Sequence, residues 1–146
     1  MDQQSRKKQS ERIILDLFKE LYDEFPKSRV VSSECPDFLL KCSPHRTIGV
    51  ELTRYLVDEY NEFDSSARKH FDPVEFRKTV QSKEEKISSY DNVNIQSLWL
   101  LVACGSLDGE TNLFANHQIE GFRLENSPFN KIFLLYLPEK KLFQMK

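Results

Sequence analysis

The sequence predicts an α/β domain, a central mixed β-sheet flanked by helices. Three observations carry that expectation. Residues 10–25 place apolar side chains at a helical period. Short apolar or alternating runs recur at 29–31, 37–42, 48–56, 97–105, 130–137 and 142–145. A second helical stretch at 79–90 separates the earlier strands from the later ones. Helix, strands, helix, strand, strand is the order of a sheet covered on both faces. With 146 residues, 39% of them hydrophobic and 30% charged, the chain reads as one domain spanning 1–146 with enough apolar material for one core.

The first helix is read from Ile13, Ile14, Leu17, Phe18, Leu21, Tyr22 and Phe25, which form a wide apolar stripe. Ser10 is the expected N-cap and Pro26 closes the segment. "RVV" and "DFLLKC" read as short strands, followed by a turn at "SPHRT". In "IGVELTRYL" the residues Ile48, Val50 and Leu52 alternate with Gly49, Glu51 and Thr53. The aliphatics therefore face one way and Glu51 and Thr53 the other. Residues 55–78 are aromatic and charged, with break points at Ser65-Ser66 and Asp72-Pro73. They read as a short helix or an inserted, lid-like excursion. "SLWLLVACG" is apolar throughout, the pattern of a central strand buried on both faces. A small helix is expected near 113–119. "NKIFLLYL" is another strand, and "LFQM" pairs back on it as a hairpin.

Composition excludes several classes. A net charge of −2 is not that of a non-specific nucleic-acid binder, so any phosphate contact must come from a local patch or a partner. Three cysteines make no disulfide framework, and Cys35, Cys42, His45 and Cys104 match no zinc spacing. Reduced thiols are the simpler reading. The polar N-terminus and the absence of a membrane-length apolar run lead to the expectation of a soluble, cytoplasmic protein without membrane partners. His45, His70 and His117 form no pair at ligand spacing and read as surface or loop residues. Trp99 reads as core. Tyr55, Tyr60, Phe63, Phe71 and Phe76, interleaved with basic residues, read as a packing segment ahead of a base-stacking surface.

Two carboxylates need a reason. Asp37 and Glu51 sit in neighbouring apolar strands, where two ionised groups repel each other. A cation between them removes the conflict, and hard oxygen ligands select Mg²⁺ or Mn²⁺. A helical wheel over 79–90 puts Val80, Lys83, Ile87 and Tyr90 on one side, with Lys83 central and Lys86 at the margin. Glu11 lies three residues before Ile14, on the inward side of the first helix.

The ordered set Glu11, Pro36-Asp37-Phe38, Val50-Glu51-Leu52-Thr53, Lys83-x-x-Lys86-x-x-x-Tyr90 and Trp99-Leu100-Leu101-Val102 resembles the PD-(D/E)XK nuclease superfamily, the restriction-endonuclease-like fold. The resemblance spans about residues 11–104. It implies that Asp37 and Glu51 bind the metal and that Glu11 assists from the first helix, as an outer ligand or a lysine partner. The family's usual lysine follows the acidic residue by two, and here that position is Thr53. Lys83 fits the variant with the lysine on the following helix, and Lys86 is the alternative. The resemblance implies a metal-dependent nuclease acting on nucleic acid, DNA ahead of RNA, as a homodimer or with a partner protein. The Leu52 carbonyl is a further candidate ligand, since strand geometry presents it alongside. A second expectation keeps the fold without activity, as a protein-binding module. Taken singly, Asp37 also reads as a turn cap, Glu51 as a residue on an exposed sheet face, Glu11 as a helix first-turn charge and Lys83 as a solvated lysine. A third reading, a purely structural domain of unrelated topology, predicts that the four do not meet in space.

Overall fold

The computed structural model describes residues 3–55, 72–90, 94–105, 119 and 121–146. They form helix α1 (Gln3–Leu21), strands β1 (Arg29–Ser32), β2 (Phe38–Ser43) and β3 (Arg46–Tyr55), helix α2 (Pro73–Glu84), then β4 (Ser97–Cys104), β5 (Lys131–Tyr136) and β6 (Lys141–Gln144). The six strands make one open, mixed sheet in the order β1-β2-β3-β4-β5-β6. β1, β2 and β3 are antiparallel, β3, β4 and β5 run parallel, and β6 returns antiparallel on β5. The α/β class and the covered mixed sheet are as expected.

Period-two patterning explains both faces. Trp99, Leu101 and Ala103 of β4 join Phe38, Leu40, Ile48, Val50, Leu52, Phe133 and Leu135 beneath α1, which contributes Ile14, Leu15 and Phe18. Leu98, Leu100, Val102 and Cys104 face the other way, against Phe76 and Val80 of α2. The unbroken apolar run of β4 is thus buried twice. Phe18 is wholly buried, with ring centroids 4.8 Å from Phe133 and 6.4 Å from Trp99, so Trp99 is core.

Both helices depart from their expected bounds. α1 starts at Gln3, not Ser10. Residues 3–9 hold Gln, Arg and Lys with no breaker, and such straight-chain residues extend a helix without apolar periodicity. Ser10 is interior to it. α1 ends at Leu21, and single turns continue beyond, with the Tyr22 N–H donating to the Phe18 carbonyl at 2.9 Å. Leu15, absent from the stripe read in the sequence, is buried, while Ile13 is 54% exposed.

α2 begins six residues before the expected 79. Asp72 and Pro73, read as a break, are its N-cap and first residue: the Asp72 carboxylate accepts from the Val74 and Glu75 N–H groups. It also stops at Glu84. Ile87–Ser89 form a separate 3₁₀ turn that delivers an extended Tyr90. Lys83 is therefore near the end of α2, and Lys86 lies in the turn beyond it. Most of the lid-like stretch (56–71) and residues 113–118 of the small helix lie outside the described residues. So do His70, His117, Tyr60, Phe63 and Phe71. Tyr55 and Phe76 are core, with centroids 5.6 Å apart. Among the described residues no helix is long and apolar enough to cross a membrane.

Candidate active site

The site lies where β3 outruns β2. Phe38, the first residue of β2, opposes Val50, so the stretch of β3 after Val50 has no strand on that side. Asp37, just before β2, fills the gap: its Oδ2 accepts the Leu52 N–H at 2.8 Å and extends the ladder by one bond. A residue's N–H and C=O point to the same side of a strand, so the Leu52 carbonyl faces the same gap. The turn that carries Asp37 is fixed on both sides. The Ser33 N–H donates to the Asp37 carbonyl at 2.8 Å, and Lys8 of α1 donates to the Ser33 carbonyl at 2.6 Å. Pro36 packs onto Gly49, where a Cβ would stand only 2.7 Å from the Pro36 Cγ. Gly49 is glycine because the chain bearing Asp37 crosses it this closely.

Glu51 is one residue past the end of the β2 ladder, on the α2 face, and only 5% exposed. Its Oε2 accepts a short hydrogen bond from the Tyr90 hydroxyl and stands 3.8 Å from the Lys83 Nζ. The Asp37 carboxyl is close enough to act on the Glu51 carboxyl. Burial first, then the Asp37 carboxyl beside it, pushes the Glu51 pKa up to about 7, against the pull of Tyr90 and Lys83. Burial first, then hydrogen bonding to Glu51, raises the Tyr90 phenol.

Glu11 enters from α1. It is 8% exposed, and its Oε2 has no hydrogen-bond partner among the described residues. Burial and then the charge of Asp37 raise its pKa. Its contact ion pair is with Lys7 at 3.9 Å, whereas the Lys83 pair is with Glu51. Glu11 is thus not the contact partner of the site lysine. All four residues expected to converge (Glu11, Asp37, Glu51 and Lys83) line one cleft of about 500 Å³, with Leu52, Thr53, Arg54 and Lys86 also on its walls. Their meeting is contrary to the third reading, which kept them apart.

Among the described residues no three His, Cys, Asp or Glu side chains are arranged to hold an ion together, so Glu11 does not complete a three-carboxylate cluster. The donor set available to a cation is Asp37, Glu51 and the Leu52 carbonyl: hard oxygens suited to Mg²⁺ or Mn²⁺, ions that keep several waters. Facing carboxylates and an unpartnered Glu11 oxygen fit such an ion.

Tyr90 has no site role in the sequence, and Arg54 stands there only among the basic residues interleaved with the aromatics from Tyr55 to Phe76. A tyrosine at helical spacing on the Lys83 stripe reads as packing. Arg54, at the end of β3, lines the cleft and donates from Nη2 to the Gly105 carbonyl at 2.5 Å. No disulfide joins the cysteines: Cys35 is exposed, Cys42 partly buried and Cys104 buried. Comparison with known protein families, curated proteins and solved structures finds no match for this chain.

Proposed function

We propose that this chain is a restriction-endonuclease-like nuclease that hydrolyses nucleic-acid phosphodiester bonds with Mg²⁺ or Mn²⁺, acting on DNA ahead of RNA, in the cytoplasm. The observation that carries the reading is the meeting of Asp37 and Glu51, from adjacent strands, at the open flank of β3, with Lys83 beside Glu51. The order of helix, antiparallel hairpin and parallel strand beneath them supports it too.

Asp37, Glu51 and the Leu52 carbonyl would hold the ion. When bound, it would lower the pKa of a water and neutralise a phosphoryl oxygen. The chain's own residues do the rest. Asp37, bonded to the Leu52 N–H, is fixed in place before any ligand arrives. Lys83, with its side chain 22% exposed, offers a fixed positive charge at the cleft wall for the charge developing on the phosphate. Lys86 and Arg54 offer further charge for phosphates on either side. Glu11 adds negative charge at the rim.

The test is cleavage of labelled single- and double-stranded DNA and RNA with Mg²⁺, Mn²⁺ or chelator, using wild type, Glu51→Gln and Lys83→Ala. Metal-dependent cleavage should fall at least about a hundredfold in each variant. Cleavage that persists in Glu51→Gln, or that ignores chelator, overturns the assignment. A cleft that neither cuts nor binds metal would instead match the protein-binding module, for which the mild net acidity and Thr53 at the usual lysine position are the sequence features.

A further inference from the structure

The two carboxylates share a pattern that the proposed chemistry does not by itself require. Each has one oxygen held by a donor outside the pair. Asp37 Oδ2 takes the Leu52 N–H, and Glu51 Oε2 takes both the Tyr90 hydroxyl and the charge of Lys83. Among the described residues, that leaves Asp37 Oδ1 and Glu51 Oε1 with no backbone, hydroxyl or ammonium donor. A glutamate has three rotatable bonds and can offer a cation either oxygen or both. A donor that holds one oxygen removes that choice and sets the plane of the carboxylate.

We infer that Tyr90 is a positioning residue for the cation site. Its buried hydroxyl reserves Glu51 Oε2 and so turns Oε1, with Asp37 Oδ1, toward the ion. The inference rests on the cation site proposed above. Its physical basis is local. Tyr90 is 5% exposed and packs in the core under α2 with Val80 and Leu100, so the ring cannot swing away. It arrives in extended backbone directly after the 3₁₀ turn, whose last N–H bond, from Tyr90 to the Ile87 carbonyl at 3.1 Å, fixes where the side chain starts. A hydroxyl aimed at a carboxylate from a buried, rigid ring is the arrangement by which outer groups orient metal ligands. It also gives the break between α2 and the 3₁₀ turn a purpose. A helix running straight on from Glu84 would not present Tyr90 in this extended form.

The experiment is Mn²⁺ binding, followed by the paramagnetic resonance of the free ion, for wild type, Tyr90→Phe and Glu51→Gln. Tyr90→Phe keeps the ring and removes one oxygen. Its Kd for Mn²⁺ should rise about ten- to a hundredfold, with the thermal midpoint kept, and saturating Mn²⁺ should restore its kcat. A merely structural tyrosine would move the midpoint and leave the Kd alone. A second measurement needs no variant. The Tyr90 hydroxyl proton, held by a buried carboxylate, should give a slowly exchanging downfield proton resonance that survives Mg²⁺ addition. Equal Kd in wild type and Tyr90→Phe, with binding lost in Glu51→Gln, overturns the role of Tyr90 and leaves the cation site standing. So does loss of the hydroxyl resonance on Mg²⁺ addition. No Mn²⁺ binding by wild type overturns both.

Discussion

Glu51 makes the metal-free protein a titration experiment. Its pKa rises from an ordinary 4.5 to about 7 in the fold, driven by burial and by Asp37. The folded state therefore binds the proton more tightly than the unfolded chain does. Stability from this group is complete below about pH 4.5, and it is lost as pH rises through 7. At about 1.36 kcal/mol per pKa unit, the loss is on the order of 3 kcal/mol. Glu51 is 5% exposed, so little of this is screened by solvent. The facing groups are Asp37 beside it, Lys83 of α2 and Tyr90, and all three act within that value. Glu51→Gln replaces the titrating group with a permanently neutral one of the same shape. Urea unfolding of both proteins without metal, from pH 4.5 to 8, isolates Glu51. The gap between them should open in favour of the variant by roughly 3 kcal/mol. That is a midpoint difference of about 1–3 M urea. Magnesium at a hundred times its Kd should return about 2.7 kcal/mol to wild type at pH 8 and nothing to the variant. Unfolding curves that move in parallel over this range would refute the argument, because Glu51 would then not take up a proton on folding.

Two further changes test how the site is held. Gly49→Ala forces a Cβ to within 2.7 Å of the Pro36 Cγ. It should cost about 1–3 kcal/mol in urea and, by shifting the turn that bears Asp37, weaken Mn²⁺ binding as well. Asp72→Ala removes the acceptor for the first N–H groups of α2. It should lower stability by about 1 kcal/mol, read from the thermal midpoint, while Mn²⁺ affinity stays within error, because Lys83 sits at the other end of the helix.

The sheet was legible because strand patterning is local. Alternation at 48–53 predicted which face Glu51 takes, and the unbroken run at 97–105 predicted a doubly covered strand. Helix ends were less legible. Apolar periodicity marks where a helix touches the core, and residues 3–9 bury no apolar side chain, so the stripe could not show them. Asp72-Pro73 carries the same residues whether it ends one segment or caps the next; only the Val74 and Glu75 N–H groups bonded to its carboxylate decide. The site followed the same rule. Asp37, Glu51, Glu11 and Lys83 stood out because a charge on an apolar face needs a partner. Tyr90 did not, because an aromatic on an apolar face needs none until its hydroxyl is placed.

The geometry also explains why the site is at this flank of the sheet. A central strand normally spends its N–H and C=O groups on two neighbours. β3 has β4 on one side from Ile48 to its end at Tyr55, but β2 leaves it after Val50 on the other. The bare stretch needs hydrogen-bond partners that are not a strand. Asp37 supplies one to Leu52, and in doing so brings a carboxylate to the flank of Glu51. Two acids meet there because the ladder ends there. The meeting can be balanced by a proton, which raises the Glu51 pKa, or by a divalent ion, which would displace that proton. Lys83 alone does not balance it: its pull on Glu51 is weaker than the combined push of burial and Asp37. Truncating β2 at Phe38 thus does two jobs at once. It opens the cleft, and it brings the Asp37 carboxylate to the flank of Glu51.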